Sequence, residues 1–277
     1  MRRAGACVAA LVICLLLLVS VRAAAELKVH FLDVGQGDAI LVQCDGESLL
    51  VDAGPAEAGE KVNQYLKKTL ESNALDHVIA THEHDDHLAG MPAALCGYSV
   101  GKVWSSRAVP LTWWFMNVLP NLKQESLLVV RPALGDSFSL GGARVTFINT
   151  LQEAMNPNDL SLVVRIDYGN NSVLLTADIE TEAEQNMLEN GAPLKADILK
   201  VAHHGGNSSS GEAFIRAVSP VIAVISVGEG NKHGHPHAEP LRCLEKNNIE
   251  IYRTDHFGTI ICTGDGEKWI IDVMKSR

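Results

Sequence analysis

The sequence predicts an α/β protein in which mixed sheets are covered by helices, four layers in all, and three observations predict it. The chain opens with three short β-type runs divided by turn residues. From residue 59 onward, helical spacing and apolar strand-like runs alternate. At 277 residues and 47% hydrophobic content the chain can bury a large core, and no repeat, low-complexity tract or long linker interrupts it. Residues 26–277 are therefore expected to form a single domain.

Residues 1–25, MRRAGACVAALVICLLLLVSVRAAA, place Arg2 and Arg3 ahead of an apolar stretch and end in Ala23, Ala24 and Ala25. That is the build of a secretory signal peptide. An uncleaved anchor is the alternative, since roughly 18 apolar-to-small residues approach the length needed to span a bilayer. Either reading makes the rest secreted or extracytoplasmic. A lipid anchor through Cys14 is disfavoured, because Ile13 stands where a small residue is expected.

Without Arg2, Arg3 and Arg22 the 23 Lys and Arg fall to 20, against 33 Asp and Glu, for a net charge of −13. Such acidity repels a polyanion at long range, which excludes a sequence-independent grip on nucleic acid unless a local basic groove exists. No basic run is visible. Four cysteines follow the leader, Cys44, Cys96, Cys243 and Cys262. Their scattered spacing favours buried thiols over a disulfide framework.

Along the chain, ELKVHFLDV, AILVQC and SLLVDAG are strand-like runs separated by GQGD and DG, the latter a two-residue hairpin turn. GEKVNQYLKKTLES sets Val62, Tyr65, Leu66 and Leu70 at helical spacing and leads into the strand HVIATH. Residues 91–150 yield only a helix near LTWWFMNVL and strands near LLVVR and ARVTFINT. LSLVVRIDYGNNSVLLTAD reads as two strands joined through GNN, followed by the helix EAEQNMLENG and the strand ADILKVA. GEAFIRAVS and PLRCLEKNN are helices on either side of the strand VIAVISV, and IEIYRT, TIICT and KWIIDVM close the chain as strands.

THEHDDHLAG, residues 81–90, follows one of those strands directly and packs three histidines and two aspartates together. On a helix His82 and His84 would diverge by about 200°. At a strand end or in a loop both can face one point. Asp86 and His87 are adjacent, so a tight turn suits them to a second metal beside the first. The helical zinc-protease pattern H-E-x-x-H fails, because position 86 is Asp. Asp52, Asp178 and the pair His203 and His204 also sit just past apolar strands, where α/β folds gather their sites. Singly, each has an ordinary structural reading as a cap or a satisfied histidine. Together they do not, since none of the eleven histidines falls between residues 88 and 202.

The ordered set Asp52, T-H-x-H-x-D-H at 81–87, Asp178 and H-H-G at 203–205 resembles the metallo-β-lactamase fold, a four-layer αββα sandwich with mixed sheets that binds one or two metals. FLDVGQGDAILV, VDAG, NDLSLVVRIDYG, VLLTAD, LKVAHHG and SVGEGNKHGHP are similar to one branch, the hydrolase domain of the competence DNA-uptake protein ComEC. The resemblance implies that His82 and His84 hold a first metal and that Asp86 and His87 hold a second. Asp178 would bridge the two. His204 would complete the second site and His203 would face substrate, on the ground that a strand alternates its faces.

Departures from the pattern are specific. No histidine caps the first metal between the first cluster and Asp178; the branch shows Asn-x-x-Ser there, here Asn158 and Ser161. Ala177 stands where glycine is usual, Gly206 where serine commonly follows H-H-G, and His233 replaces an aromatic residue. The donors are all N and O, which suits Zn²⁺ or Mn²⁺. Two such ions about 3.5–4 Å apart would bring a bound water from pKa 15.7 toward about 7, making metal-bound hydroxide the nucleophile. Asp52 and Asp33 are expected to orient histidine rings, and Asp86, His203 and His235 to take part in catalysis, His235 at the leaving oxygen.

The resulting expectation is an exported metal-dependent hydrolase with two divalent ions, acting on phosphodiesters such as DNA, nucleotides or a cell-wall phosphodiester. No protein partner is evident, and the lack of a second stretch of about 20 apolar residues argues against a transport channel. Two alternatives remain open at this point. One is a lactone or β-lactam hydrolase using the same water on a carbonyl. The other is a metal-bearing binding protein without turnover, motivated by the missing first-site histidine.

Overall fold

The computed structural model describes residues 26–151 and 153–275. Residues 1–25, which carry the export-signal reading, lie outside the described residues. The opening meander is β1 (Leu27–Phe31), β2 (Ile40–Cys44) and β3 (Glu47–Val51), paired antiparallel. Asp45 and Gly46 turn the β2–β3 hairpin at φ 50° and 87°, the two positive values that its short turn requires. The helix α1 (Gly59–Thr69) then returns the chain to β4 (Ala74–Ala80), parallel to β3. Short helices α2 (Asp85–Leu88) and α3 (Met91–Ala94) lead to β5 (Ser99–Ser105), α4 (Leu111–Trp113) and the two-residue β6 (Val129–Val130).

The second half begins with β7 (Ser137–Leu140), β8 (Ala143–Asn149), β9 (Val163–Tyr168) and β10 (Asn171–Leu175), again an antiparallel run. Helix α5 (Thr181–Glu189), β11 (Ile198–Lys200), α6 (Glu212–Val218), β12 (Ile222–Ile225), α7 (Ala238–Lys246) and β13 (Glu250–Arg253) add three parallel strands. After α8 (Thr254–Phe257), β14 (Ile260–Gly264) and β15 (Trp269–Val273) cross back to pair beside β1.

Two mixed sheets result, ordered β15-β14-β1-β2-β3-β4-β5-β6 and β13-β12-β11-β10-β9-β8-β7. Alternation along each strand sends one set of side chains between the sheets, such as Leu27, Val29 and Phe31 of β1, Val173 of β10 and Ile198 of β11. The opposite faces pack under helices: Leu41, Leu50 and Val78 with Val62 and Leu66 of α1, and Leu174, Leu199 and Ala223 with Met187, Phe214 and Leu244 of α5, α6 and α7. The fold is thus the four-layer αββα sandwich the motifs implied.

Where the structure differs from the sequence reading, local chemistry explains it. The pattern missed β5 because Gly101 and Lys102 interrupt its apolar run, and missed β7 because SFSL is a short, half-polar edge strand. LTWWFMNVL is α-helical only at its start and continues as a π-helical turn from Trp114 to Val118. Of LLVVR, only Val129 and Val130 pair. The four cysteines among the described residues are free; Cys44 and Cys262 are buried, Cys243 is half-buried and Cys96 is exposed. Among the described residues, no helix is long and apolar enough to cross a membrane.

Candidate metal centre

Most candidate donors lie in loops beyond the C-terminal ends of strands, and Asp86 and His87 sit in the short helix α2 that follows β4. Asp52 follows β3, His82 and His84 follow β4, Asp178 follows β10, and His203 and His204 follow β11. The two sheets lie face to face, so loops of both converge at one end, as expected for α/β sites. The backbone turns sharply there: Asp52, Ala177, His203 and His204 all have positive φ, 54°, 45°, 49° and 54°. Ala177 accounts for the glycine that the resemblance leads one to expect at this position, since a left-handed backbone costs a residue with a Cβ roughly 1–2 kcal/mol.

The converging atoms are spaced for metal. His87 Nε2 is 3.2 Å from Asp178 Oδ1, and His204 Nε2 is 3.4 Å from Asp178 Oδ2 and 3.2 Å from Asp86 Oδ2. Donors bound tetrahedrally at about 2.0–2.1 Å stand about 3.3–3.4 Å apart. Asp86, His87, Asp178 and His204 together offer one atom each within 4.8 Å of one another. His82 Nε2 is 4.0 Å from Asp178 Oδ2, and the His84 ring lies 4.7 Å from that of His82. His82 Nε2, His87 Nε2, His204 Nε2 and Asp178 Oδ1 are buried with no hydrogen-bond partner. Orphaned polar atoms in a core are costly, and four of them converging on one point fit a dinuclear metal site.

Electrostatics point the same way. Burial opposes a charge on His87, yet Asp178 and Asp52 outweigh it and hold its pKa well above the ordinary histidine value. His204, likewise desolvated, is held up at about 9 by Asp178 and Asp86. Burial, reinforced by His87, pushes His82 well down. The carboxylates thus draw positive charge into a buried space, the demand that divalent cations meet through the histidine lone pairs.

A surrounding layer fixes the rings. Asp52, fully buried, accepts from His87 Nδ1 at 2.8 Å, from Thr81 N at 2.9 Å and from Thr81 Oγ1 at 2.6 Å. His204 Nδ1 donates to Ser226 O at 2.9 Å and has Asp38 Oδ1 at 3.5 Å; Asp38 Oδ2 pairs with Lys200 at 2.8 Å. Asp33 does not serve this purpose. Its carboxylate accepts from the Gly35 N–H at 3.2 Å and lies 3.6 Å from Lys61 Nζ, so it stiffens its own loop and reaches no histidine.

A family model described as the metallo-beta-lactamase superfamily matches residues 32–229. The chain belongs to that superfamily. It is 31% identical over 255 residues to ComE operon protein 3 of Bacillus subtilis and 28% identical over 237 residues to competence protein ComA of Neisseria gonorrhoeae. These matches cover 85% of this chain in each case, and 33% and 32% of the relatives, so the chain spans about a third of their length. Among solved structures, the metallo-beta-lactamase fold protein YhfI of Bacillus subtilis superposes with a TM-score of 0.59 at 17% identity, over 87% of this chain and all of that one.

On this superfamily scaffold the substrate side is an open cleft of about 650 Å³, lined by His84, Asp86, Asn158, Asp178, His203 and His235 among others. His203 and His204 diverge as the sequence reading expected, but for another reason. The strand ends at Lys200, and both histidines occupy a tight left-handed turn that buries His204 and leaves His203 in the cleft. His203 Nδ1 lies 3.2 Å from both Glu180 Oε1 and Ser208 Oγ. Asn158 Nδ2 donates to Glu180 Oε1 at 2.7 Å, whereas Ser161 is fully buried beneath the floor and its Oγ has no partner. Thr81, Asp38, Lys200, Glu180 and Ser226 escaped the sequence reading. Lys200 alone left a signal, a charge within the apolar strand ADILKVA.

Proposed function

We propose that this chain is an exported, metal-dependent hydrolase that cleaves phosphodiesters with a pair of divalent cations, Zn²⁺ or Mn²⁺. The observation that carries the reading is the spacing of 3.2–3.4 Å among the donors His87 Nε2, His204 Nε2, Asp86 and Asp178. His82, His84 and Asp178 would hold one ion, and Asp86, His87, Asp178 and His204 the other. So bound, the pair supplies a water acidic enough to attack at neutral pH and neutralises charge on the phosphoryl oxygens.

The remaining work belongs to the chain. Asp52 and Ser226 hold the Nδ1 protons of His87 and His204, which leaves each Nε2 as a lone-pair donor. His203, beside Glu180, would carry a proton on Nε2 that passes to the leaving alkoxide as the ester P–O bond breaks; burial lowers its pKa, against the pull of Asp178 and Glu180, which favours giving that proton up. His235, with its ring 5.3 Å from that of His203, would sit beside it at the leaving oxygen, and Lys232 on the same cleft would contact the non-bridging oxygens. An anionic ester is favoured over a neutral amide or lactone because a pair of cations would offset the carboxylates Asp85, Asp86 and Asp178 that line this cleft, with Lys232 beside them. Similarity to ComE operon protein 3 and to a protein named competence protein ComA supports a nucleic-acid-derived phosphodiester.

The test is hydrolysis of bis-p-nitrophenyl phosphate by residues 26–277 reconstituted separately with Mn²⁺ and with Zn²⁺, beside the cephalosporin nitrocefin. Metal-dependent release of p-nitrophenol with nitrocefin intact is expected. Hydrolysis of nitrocefin alone would establish the carbonyl reading instead, and inertness toward both with two ions bound would favour a binding protein without turnover.

A further inference from the structure

Lys200 is fully buried and projects from the inner face of β11, the face that Ile198 presents to the space between the sheets. Its Nζ lies 2.8 Å from Asp38 Oδ2 and donates to Val201 O at 3.0 Å. Asp38 belongs to the loop between β1 and β2, in the other sheet. Among the described residues this is the only ion pair of Lys or Arg with a carboxylate in which neither side chain exceeds 2% exposure. Burying two such charges costs several kcal/mol per ion before they attract, and apolar replacements are often as stable or more so. Fold stability therefore does not explain the pair.

Its neighbours suggest what it does. Asp38 Oδ1 is buried, has no hydrogen bond and stands 3.5 Å from His204 Nδ1. That nitrogen donates instead to Ser226 O, at 2.9 Å. A carboxylate is the stronger acceptor, roughly twice a neutral one. Left free, Asp38 would accept the His204 Nδ1–H in place of the Ser226 carbonyl and turn the ring, carrying Nε2 away from Asp86 and Asp178. The same residue also reaches Asp86 through the backbone, its N–H donating to Asp86 O at 3.1 Å.

We propose that Lys200 is a positioning residue: it restrains the Asp38 carboxylate so that His204 keeps its Nδ1 proton on Ser226 and presents Nε2 to the second metal. This rests on the two-metal reading given above. Two consequences follow that a merely structural pair would not share. Removing Lys200 alone weakens the second metal, because Asp38 is released. Removing the charge on Asp38 as well restores it, because nothing then competes with Ser226.

The test is Co²⁺ titration of the full chain, followed by visible absorption and equilibrium dialysis, for the wild type, Lys200→Met and Asp38→Asn/Lys200→Met. Thermal melting of each metal-free form is the control for folding. The expected result is a second-equivalent affinity reduced 10-fold or more in Lys200→Met, with the first equivalent unchanged, and recovery to within about threefold in the double variant, in line with the size of effects from groups that orient metal-bound histidines. Should Lys200→Met not fold, Lys200→Gln, whose amide can still donate to Asp38 but bears no charge, is expected to shift in the same direction. A double variant that loses the second ion as badly as the single one would overturn the proposal. Fewer than two equivalents bound by the wild type would instead overturn the two-metal reading beneath it.

Discussion

Asp52→Asn exchanges one oxygen for an amide nitrogen at a fully buried position with φ 54°, a backbone that asparagine tolerates. The wild-type carboxylate accepts three hydrogen bonds, two from Thr81 and one from His87 Nδ1. An amide has one accepting oxygen. If that oxygen keeps the Thr81 N–H, the amide N–H₂ faces His87 Nδ1; if it turns to His87, the N–H₂ faces the Thr81 N–H. Metal on His87 Nε2 forces the ring proton onto Nδ1, so the metal-bound form must bury one donor against another. Leaving such a group unpaired costs roughly 1–3 kcal/mol. At about 1.4 kcal/mol per tenfold, that is about 5- to 150-fold in affinity. Without metal the proton can sit on Nε2 toward Asp178, and Nδ1 can accept from the amide. The penalty therefore falls on binding more than on the fold. Isothermal titration with Zn²⁺ and a far-ultraviolet melt of the metal-free protein check both halves. An Asn variant that binds metal as tightly as the wild type would refute the role assigned to Asp52.

Three further outcomes are expected. Glu184, buried and accepting from Ser210 N and Gly211 N, has its carboxyl pushed by desolvation to about 7 from an ordinary 4.5. A raised acid pKa contributes stability present below pH 4.5 and lost as pH rises through about 7, on the order of 3 kcal/mol; urea melts from pH 4 to 8 should show that loss in the wild type and not in Glu184→Gln. Gly37 has φ 137°, and a Cβ there would meet Asp86 O at 2.1 Å. Gly37→Ala should displace Asp86 and lower turnover about 100-fold, the scale of a 1 Å misplacement, while an unchanged rate would show that the loop is not coupled to the site. His203→Ala should lower kcat by about 10²–10⁴ with both metals retained; loss of metal with activity would reassign His203 to the ligand set.

Much of the centre was legible in the sequence because its donors obey one local rule, a polar residue one to four positions beyond an apolar strand. Asp52, His82, Asp178 and His204 all follow it. The residues that hold them do not. Asp33 and Asp38 stand at opposite ends of one turn-rich loop, and nothing in the spacing tells which carboxylate turns inward; the fold turns in Asp38. Glu180 just before α5 reads as an ordinary acid at a helix start, which conceals its approach to His203. Ser226 acts through a backbone carbonyl, which no side-chain pattern encodes. At the level of the fold, the apolar runs of β14 and β15 were visible, but their return to β1 from the end of the second sheet depends on long-range pairing. The net charge of −10 misleads in a similar way, since a mean over the chain does not reveal Lys232 at the cleft.

The most direct measurement is the rate of bis-p-nitrophenyl phosphate hydrolysis followed as metal is returned to the stripped protein one equivalent at a time, with bound metal quantified at each point, for the wild type and for Asp86→Ala. Turnover that rises steeply with the second equivalent in the wild type, and is absent in the variant at equal first-site occupancy, is expected of a two-cation phosphodiesterase. Full turnover at one equivalent, or undiminished turnover in Asp86→Ala, would contradict it.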